Sequence, residues 1–272
     1  MLISKEPQKQ IIANNNTIGI FDSGVGGLTV FKEIRKQFAA SKIIYYGDTA
    51  RVPYGSKSST TIKNYSQQNT QFLLDNGVSI IIVACNTSTA YALESLQNMT
   101  DIPILGVIKP GAETAVKSTK TGRIGVIGTE GTINSHAYNN AIKMINNDIF
   151  VIEKSCPLFV PLAEEGWHDS PVTMQIAEIY LTDMLHNNID TLVLGCTHYP
   201  ILKQIIQKVC GDAITLIDSA EAVSKEMLNY LPMSTNTIGE NHFYVSDNIE
   251  RFTHIAKKII NIENFHVSVR KT

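Results

Sequence analysis

The sequence predicts an α/β protein built on mainly parallel sheets with helices on both faces. Three observations carry this. Short apolar runs, Ile80–Ala84 and Thr191–Gly195 among them, have the near-continuous hydrophobicity of strands buried on both sides. Between such runs lie stretches whose apolar residues recur at helical spacing, the alternation that produces parallel sheets. Finally, the pattern restarts: Arg123–Gly128 (RIGVIG) resembles the opening Ile18-Gly19-Ile20. Ile18 to Cys85 and Ile124 to Cys196 are β-α stretches of similar length, each delivering a cysteine, which points to a duplicated half.

In chain order, Thr17–Asp22 reads as the first strand and Ser23-Gly24-Val25-Gly26-Gly27 as a glycine-rich turn. Leu28, Phe31, Ile34 and Phe38 mark a helix, and Lys42–Asp48 a second strand. A loop, Thr49–Ser56, and a polar helix carrying Ile62, Tyr65, Phe72 and Leu73 lead to the Ile80–Ala84 strand. A helix is expected from Ser88 to Leu96 and a short strand from Pro103 to Ile108, with Lys109-Pro110 as the crossing point into the second half. There, Arg123–Gly128 and Ile149–Lys154 are strands, Pro161–Gly166 a loop or short helix, and Val172–His186 a helix before Thr191–Gly195. A strand at Ala213–Asp218, a helix at Ala220–Leu231, a last strand at His242–Ser246 and an amphipathic helix at Ile249–Ile260 follow. This last part is too short for another half and is expected to complete the first domain. The division is therefore 1–108 with 218–272, and 109–217.

Composition narrows the function classes. Hydrophobic content of 43% and charged content of 18% suit a packed core. A net charge of -2 without a basic cluster argues against nucleic acid as a partner. No apolar run approaches the ~18 residues that span a bilayer, so no membrane partner is expected. The polar N-terminal leader lacks a signal core, and a cytoplasmic location is the default. Four scattered cysteines, Cys85, Cys156, Cys196 and Cys210, do not read as a disulfide framework in such a chain.

The glycine turn invites a dinucleotide reading, with Asp48 as the ribose acid. However, Thr29 occupies the sixth position of that fingerprint, and Asp22-Ser23 puts a carboxylate where a pyrophosphate would lie. A tight turn, or a nest of amides able to hold a small carboxylate, suits the residues better. The thiols are more informative. Cys85 and Cys196 each follow a buried strand and precede an expected helix, whose free amides favour a thiolate. Cys156 and Cys210 lack that placement and read as packing residues. His198, two residues after Cys196, could steer its proton. A zinc site lacks further ligands, and a Cys-His hydrolase would leave Cys85 without a role. Two thiols facing one substrate from opposite sides suit proton removal and delivery, which inverts a stereocentre. Ser23, Tyr54, Gly55, Asn86, Thr87, Thr132 and Thr197 supply donors to hold the substrate's carboxylates and amine without a cofactor.

Four blocks together resemble the glutamate racemases, cofactor-independent members of the aspartate/glutamate racemase superfamily: Phe21–Leu28, Tyr46–Gly55, Ala84–Thr87 and Gly195–Pro200. The resemblance implies two pseudo-symmetric α/β domains with the active site in the cleft between them. It also implies interconversion of L- and D-glutamate, supplying D-glutamate for peptidoglycan, with no cofactor and no metal. By motif match, Cys85 acts on the α-proton of D-glutamate and Cys196 on that of L-glutamate, assisted by Asp22 and His198 respectively. Asp22, Ser23, Tyr54, Gly55, Asn86, Thr87, Thr197 and His198 are the implied substrate contacts. Glu164, in the PLxEEG block, is an implied helper near His198, and Thr129 and Thr132 are further candidates. A homodimer is allowed. An aspartate or hydantoin racemase and a non-catalytic amino-acid-binding module are the competing readings.

Overall fold

The computed structural model describes residues 17–234, 238–260 and 265–271. The leader before Thr17 lies outside the described residues. The first strand, β1 (Thr17–Asp22), is buried at every position. After the glycine turn comes α1 (Leu28–Gln37), which turns Leu28, Phe31 and Ile34 inward. Strand β2 (Lys42–Gly47), α2 (Ser59–Asp75), β3 (Ile80–Val83) and α3 (Asn86–Gln97) follow, then β4 (Ile104–Gly106) and α4 (Ile108–Ser118).

The second half runs β5 (Arg123–Gly128), α5 (Glu130–Asn134), α6 (Ala137–Ile145), β6 (Phe150–Ser155), α7 (Phe159–Glu164), α8 (Pro171–His186) and β7 (Thr191–Gly195). It continues through α9 (Lys203–Cys210) and β8 (Thr215–Asp218). The chain then passes through α10 (Ser219–Glu226), β9 (Asn241–Val245), α11 (Ile249–Ile260) and β10 (Val267–Val269).

Two parallel sheets result. One has the order β10-β9-β2-β1-β3-β4 and the other β6-β5-β7-β8. The series β2-β1-β3-β4 and β6-β5-β7-β8 are the same topology, so the repeat suggested by RIGVIG is a repeat of fold. In each, the chain leaves the central strand to one side and returns on the other, and the switch point falls beside the third strand of the repeat. Open α/β sheets bind ligands at such points, off the carboxyl ends of the strands. Cys85 lies at the first switch point and Cys196 at the second. Phe21 pairs with Val83 and Gly128 with Gly195, so Asp22 at the end of β1 and Thr129 just after β5 stand level with the approaches to the two thiols.

Each lobe has its own apolar core. In the six-stranded lobe, Ile18, Ile20, Ile80 and Ile82 face α1, α10 and α11 through Leu28, Phe31, Val223 and Phe252. Phe21, Ile81 and Val83 face α2 and α3. Isoleucines at 0% exposure each contribute about 1.5–3 kcal/mol relative to an exposed position. In the four-stranded lobe, Leu192 and Leu194 face α7 and α8, whereas Val126 and Val193 face α4 and α6.

The structure corrects several local expectations. Lys109-Pro110, expected as the crossing point into the second half, lies in the first turn of α4, where proline's missing N–H leaves no gap in the hydrogen-bond ladder. His242–Ser246 is not the last strand, because Val267–Val269 adds another edge strand beside β9. No regular helix begins at Cys196. Tyr199–Leu202 is 3-10 and α9 starts only at Lys203. Pro200 accounts for this, since it disfavours α conformation in the residue before it and cannot donate to a helix.

Candidate active site

The carboxyl ends of the two sheets face each other across a small cavity. It is lined by Ser23, Tyr54, Gly55, Cys85, Asn86, Thr87, Thr129, Cys196, Thr197 and His198, with Val52, Pro53, Val160 and Gly195 completing the wall. Both strand-end thiols therefore reach one space, each from its own lobe. Only about 20 Å³ of it is open to a water-sized sphere, the room one water needs. The lobes meet closely on both sides. A Cβ on Gly26 would stand 2.5 Å from His198 Nδ1 and Thr197 Oγ1, and one on Gly55 2.5 Å from Thr129 Cβ. At these two positions glycine is required by the approach of the opposite lobe.

Cys85 is the N-cap residue of α3, in extended conformation after β3. Burial raises its thiol to about 11, and the charge of Asp22 raises it too, while the amide and hydroxyl of Ser88 and the hydroxyl of Ser23 pull the other way. Asp22 is fully buried and lies behind the cavity wall. Its carboxylate accepts from the Gly24 amide at 3.0 Å and from Thr197 Oγ1 of the other lobe at 3.2 Å. Burial raises its pKa, against the nearby charge of His198 and the hydrogen bonds from Gly27, Gly24 and Thr197. Asp22 thus accepts a hydrogen bond from the Cys196 turn while its charge acts on Cys85.

Cys196 has no helix N-terminus at its back. Its neighbour is His198, with Nδ1 3.8 Å from Sγ. The other ring nitrogen, Nε2, lies 3.1 Å from Glu164 Oε1. Burial alone would lower the His198 pKa, but hydrogen bonds to Cys196 and Glu164, and their charges, outweigh it and lift it to about 10. Burial likewise works to raise Glu164, and the hydrogen bonds and charges of His198 and Arg251 overcome it, leaving the carboxyl below its ordinary value. The PLxEEG glutamate is therefore in contact with the histidine, although it does not line the cavity.

The polar wall offers donors. Asn86 is buried, its Oδ1 accepts from Tyr138 Oη at 2.8 Å, and its Nδ2 has no partner. A buried amide donor left open beside a cavity is costly without a ligand to accept from it. Thr87, Thr129 and Thr132 join hydroxyls across the cleft, with Thr87 2.8 Å from Thr129 and 3.1 Å from Thr132. Tyr54 lines the cavity, but its hydroxyl is engaged elsewhere. It donates to Asp48 and accepts from Asn69 Nδ2 at 3.0 Å. Asp48, read from the sequence as a possible ribose acid, also receives Arg51 Nε at 2.6 Å and Ser246 Oγ at 2.9 Å. It fixes the Tyr54-Gly55 loop instead.

Thr29 escapes any functional reading from sequence, yet its hydroxyl donates to the Thr197 carbonyl at 3.0 Å and so ties α1 to the Cys196 turn. Its only sequence signal is that it interrupts the dinucleotide fingerprint. Cys156 is buried in the core against Phe159 and Tyr199, and Cys210 ends α9 half-buried; both serve packing. Among the described residues, no three His, Cys, Asp or Glu side chains stand together as a metal site. Nor is any helix among them long and apolar enough to cross a membrane.

Comparison with known proteins places this architecture. The family model for Asp/Glu/Hydantoin racemase matches residues 18–227. A glutamate racemase of Geobacter metallireducens is 49% identical over 248 residues, covering 89% of this chain and 92% of that protein. Among solved structures, a glutamate racemase isoform of Bacillus anthracis superposes with a TM-score of 0.88 at 36% identity, covering 94% of this chain and 97% of the other. A glutamate racemase of Francisella tularensis, solved in complex with D-glutamate, gives 0.86 at 37% identity, covering 94% and 98%.

Proposed function

The chain belongs to the Asp/Glu/Hydantoin racemase family, and we propose that it interconverts L- and D-glutamate by passing a proton between two thiols on opposite faces of the α-carbon. The reaction makes it an amino-acid racemase, and the D-glutamate it forms supplies peptidoglycan synthesis. The observation that carries the mechanism is that Cys85 and Cys196, one from each lobe, line the same small cavity. We take the lobes as 1–108 with 218–272 and 109–217, boundaries that follow the sheets except at Asp218, the last residue of β8 in the four-stranded sheet.

A two-base cycle needs one thiolate and one thiol at the start. Cys85, held up to about 11, is the thiol at neutral pH. His198, held to about 10, is then a cation 3.8 Å from the Cys196 sulfur. In the direction from L-glutamate, Cys196 takes the α-proton of the enantiomer that faces it, which the family motif makes L-glutamate. Cys85 delivers a proton to the other face, and D-glutamate leaves a Cys85 thiolate and a Cys196 thiol. Proton exchange with solvent resets the pair.

The intermediate carries negative charge at the α-carboxylate, which fixed donors must hold. Asn86 Nδ2, buried without a partner on a residue that lines the cavity, is the leading candidate, with the Ser23, Thr87 and Thr197 hydroxyls and the Gly55 backbone also on the wall. An amino acid does not fit in 20 Å³, so the lobes part to admit it and close to exclude water. Both thiols must stay reduced, which suits the cytoplasm.

The test is racemisation of L-glutamate and of L-aspartate, followed by circular dichroism, for the wild type, Cys85→Ser and Cys196→Ser. Glutamate is turned over and aspartate is not, and each serine variant loses about a thousandfold or more, within the range of a lost general acid or base. Full activity in either variant, or preference for aspartate, overturns the reading.

A further inference from the structure

The geometry points to Arg251 as a positioning residue of the Cys196 half-site, acting across the cleft through Glu164 on His198 when the lobes are together. The inference rests on the two-thiol reading above and extends it to a residue outside every motif that identified the site.

Arg251 lies in the first turn of α11, on the six-stranded lobe. Its Nη2 donates to Glu164 Oε2 at 3.1 Å and to Glu165 Oε1 at 3.4 Å, both at the end of α7 on the other lobe. Glu164 uses its remaining oxygen on His198 Nε2, and His198 Nδ1 faces Cys196 Sγ. Guanidinium, carboxylate, imidazole and sulfur thus form one chain that begins on one lobe and ends at the thiol of the other. Glu164 keeps only 13% of its side chain exposed. A carboxylate so placed needs its partners, since burial of an unpaired charge is expensive.

The mounting of Arg251 strengthens the case. Its amide donates to Asn248 Oδ1 at 3.0 Å, and Asn248 takes the left-handed φ of 52° to make that cap. Asp247 is tied to Thr49, whose Oγ1 accepts from the Asp247 amide at 3.0 Å, and Ser246 Oγ donates to Asp48. Asp48 is the carboxylate that holds Tyr54. The start of α11 and the cavity loop at Tyr54-Gly55 are consequently one fastened unit. When the lobes part, this unit carries Arg251 away from Glu164, and Glu164 is left free to turn off His198. Closure restores both contacts together, so the histidine reaches its working orientation only over an enclosed substrate.

The experiment is steady-state racemisation in both directions by the full chain, with thermal unfolding as a check on folding. Arg251→Ala lowers kcat/KM about fivefold, the upper end for a partly exposed ion pair. The loss falls on kcat with little change in KM, as for a contact that matters in the transition state. Arg251→Lys restores activity to within about twofold, because an ammonium on a similar stem reaches Glu164. In a Glu164→Gln background Arg251→Ala adds nothing, whereas in Glu165→Gln it keeps its full effect, the non-additivity expected of one connected chain. Arg251→Ala without effect, or with equal effect in the Glu164→Gln and wild-type backgrounds, overturns the inference. A wild type that fails to racemise glutamate overturns the underlying reading instead.

Discussion

The two half-sites descend from one topology but manage their thiols differently. Cys85 caps a regular helix directly, and its polar company is the amide and hydroxyl of Ser88 and the hydroxyl of Ser23. Cys196 is followed by a turn and a 3-10 segment, and its company is the imidazole of His198 braced by Glu164. Asn86-Thr87 stands after the first thiol and Thr197-His198 after the second, so the repeat keeps the position and changes the chemistry. Where β1 ends in the carboxylate of Asp22, β5 is followed by Thr129, a hydroxyl that caps α5. A symmetric reaction thus runs in an asymmetric site. On one side burial and the charge of Asp22 hold the Cys85 thiol up to about 11; on the other an imidazole stands 3.8 Å from the Cys196 sulfur.

The contrast can be broken sterically. Gly26→Ala puts a methyl 2.5 Å from His198 Nδ1 and Thr197 Oγ1, on the Cys196 side only. Displacing a catalytic group by about 1 Å can cost about a hundredfold, and we expect a kcat loss of that order. A variant with near wild-type kcat would show that the close approach at Gly26 is not part of the working site. A comparable Gly55→Ala effect is not a substitute, since Gly55 abuts Thr129 instead.

A smaller effect sharpens the contrast through stability. His198 has its folded pKa raised to about 10. Its contribution is therefore complete below the ordinary histidine value, near 6.5, and is lost as pH rises through about 10. Cys85, raised to about 11, favours the protonated thiol, so its contribution fades from the ordinary thiol value near 9 up to about 11. Urea midpoints should fall between pH 7 and pH 11, with the earlier part of the fall assigned to His198. His198→Asn should flatten the curve between pH 7 and about 9 and leave the later decline. An unchanged curve in that variant would contradict the ion-paired state assigned to the histidine.

Much of this was legible in the residues, and what was not has physical reasons. Strands buried on both faces leave unbroken apolar runs, so β1, β3, β5 and β7 can be read with little error, as can the thiols at the ends of β3 and β7. Helix α4 was hidden because Pro110 looks like a break while sitting harmlessly in a first turn. Strand β10 is three residues long and carries little periodicity. The residues that line the cavity are mostly those in the glycine, Tyr54, Cys85 and Cys196 blocks, because a cleft built from strand ends draws its walls from contiguous segments. The supports escaped. Thr29 reaches Thr197, Asp48 holds Tyr54, and Arg251 reaches Glu164. The Thr29 and Arg251 contacts join segments far apart in the chain and leave no local pattern, and Asp48 carries a signal that suits a different ligand.

The central claim is that two thiols work from opposite faces, and the placement of deuterium tests it most directly. The wild type is given L-glutamate in D₂O and stopped after a small fraction has turned over; D-glutamate is then run in the same way. Each thiol carries a single proton, so one that returns hands the substrate back its own hydrogen. The account predicts that the newly formed enantiomer carries deuterium at the α-carbon from the first time point, while the recovered substrate remains unlabelled, in both directions. Early label in the recovered substrate together with protium in the product would mean that one base serves both faces, and would contradict it.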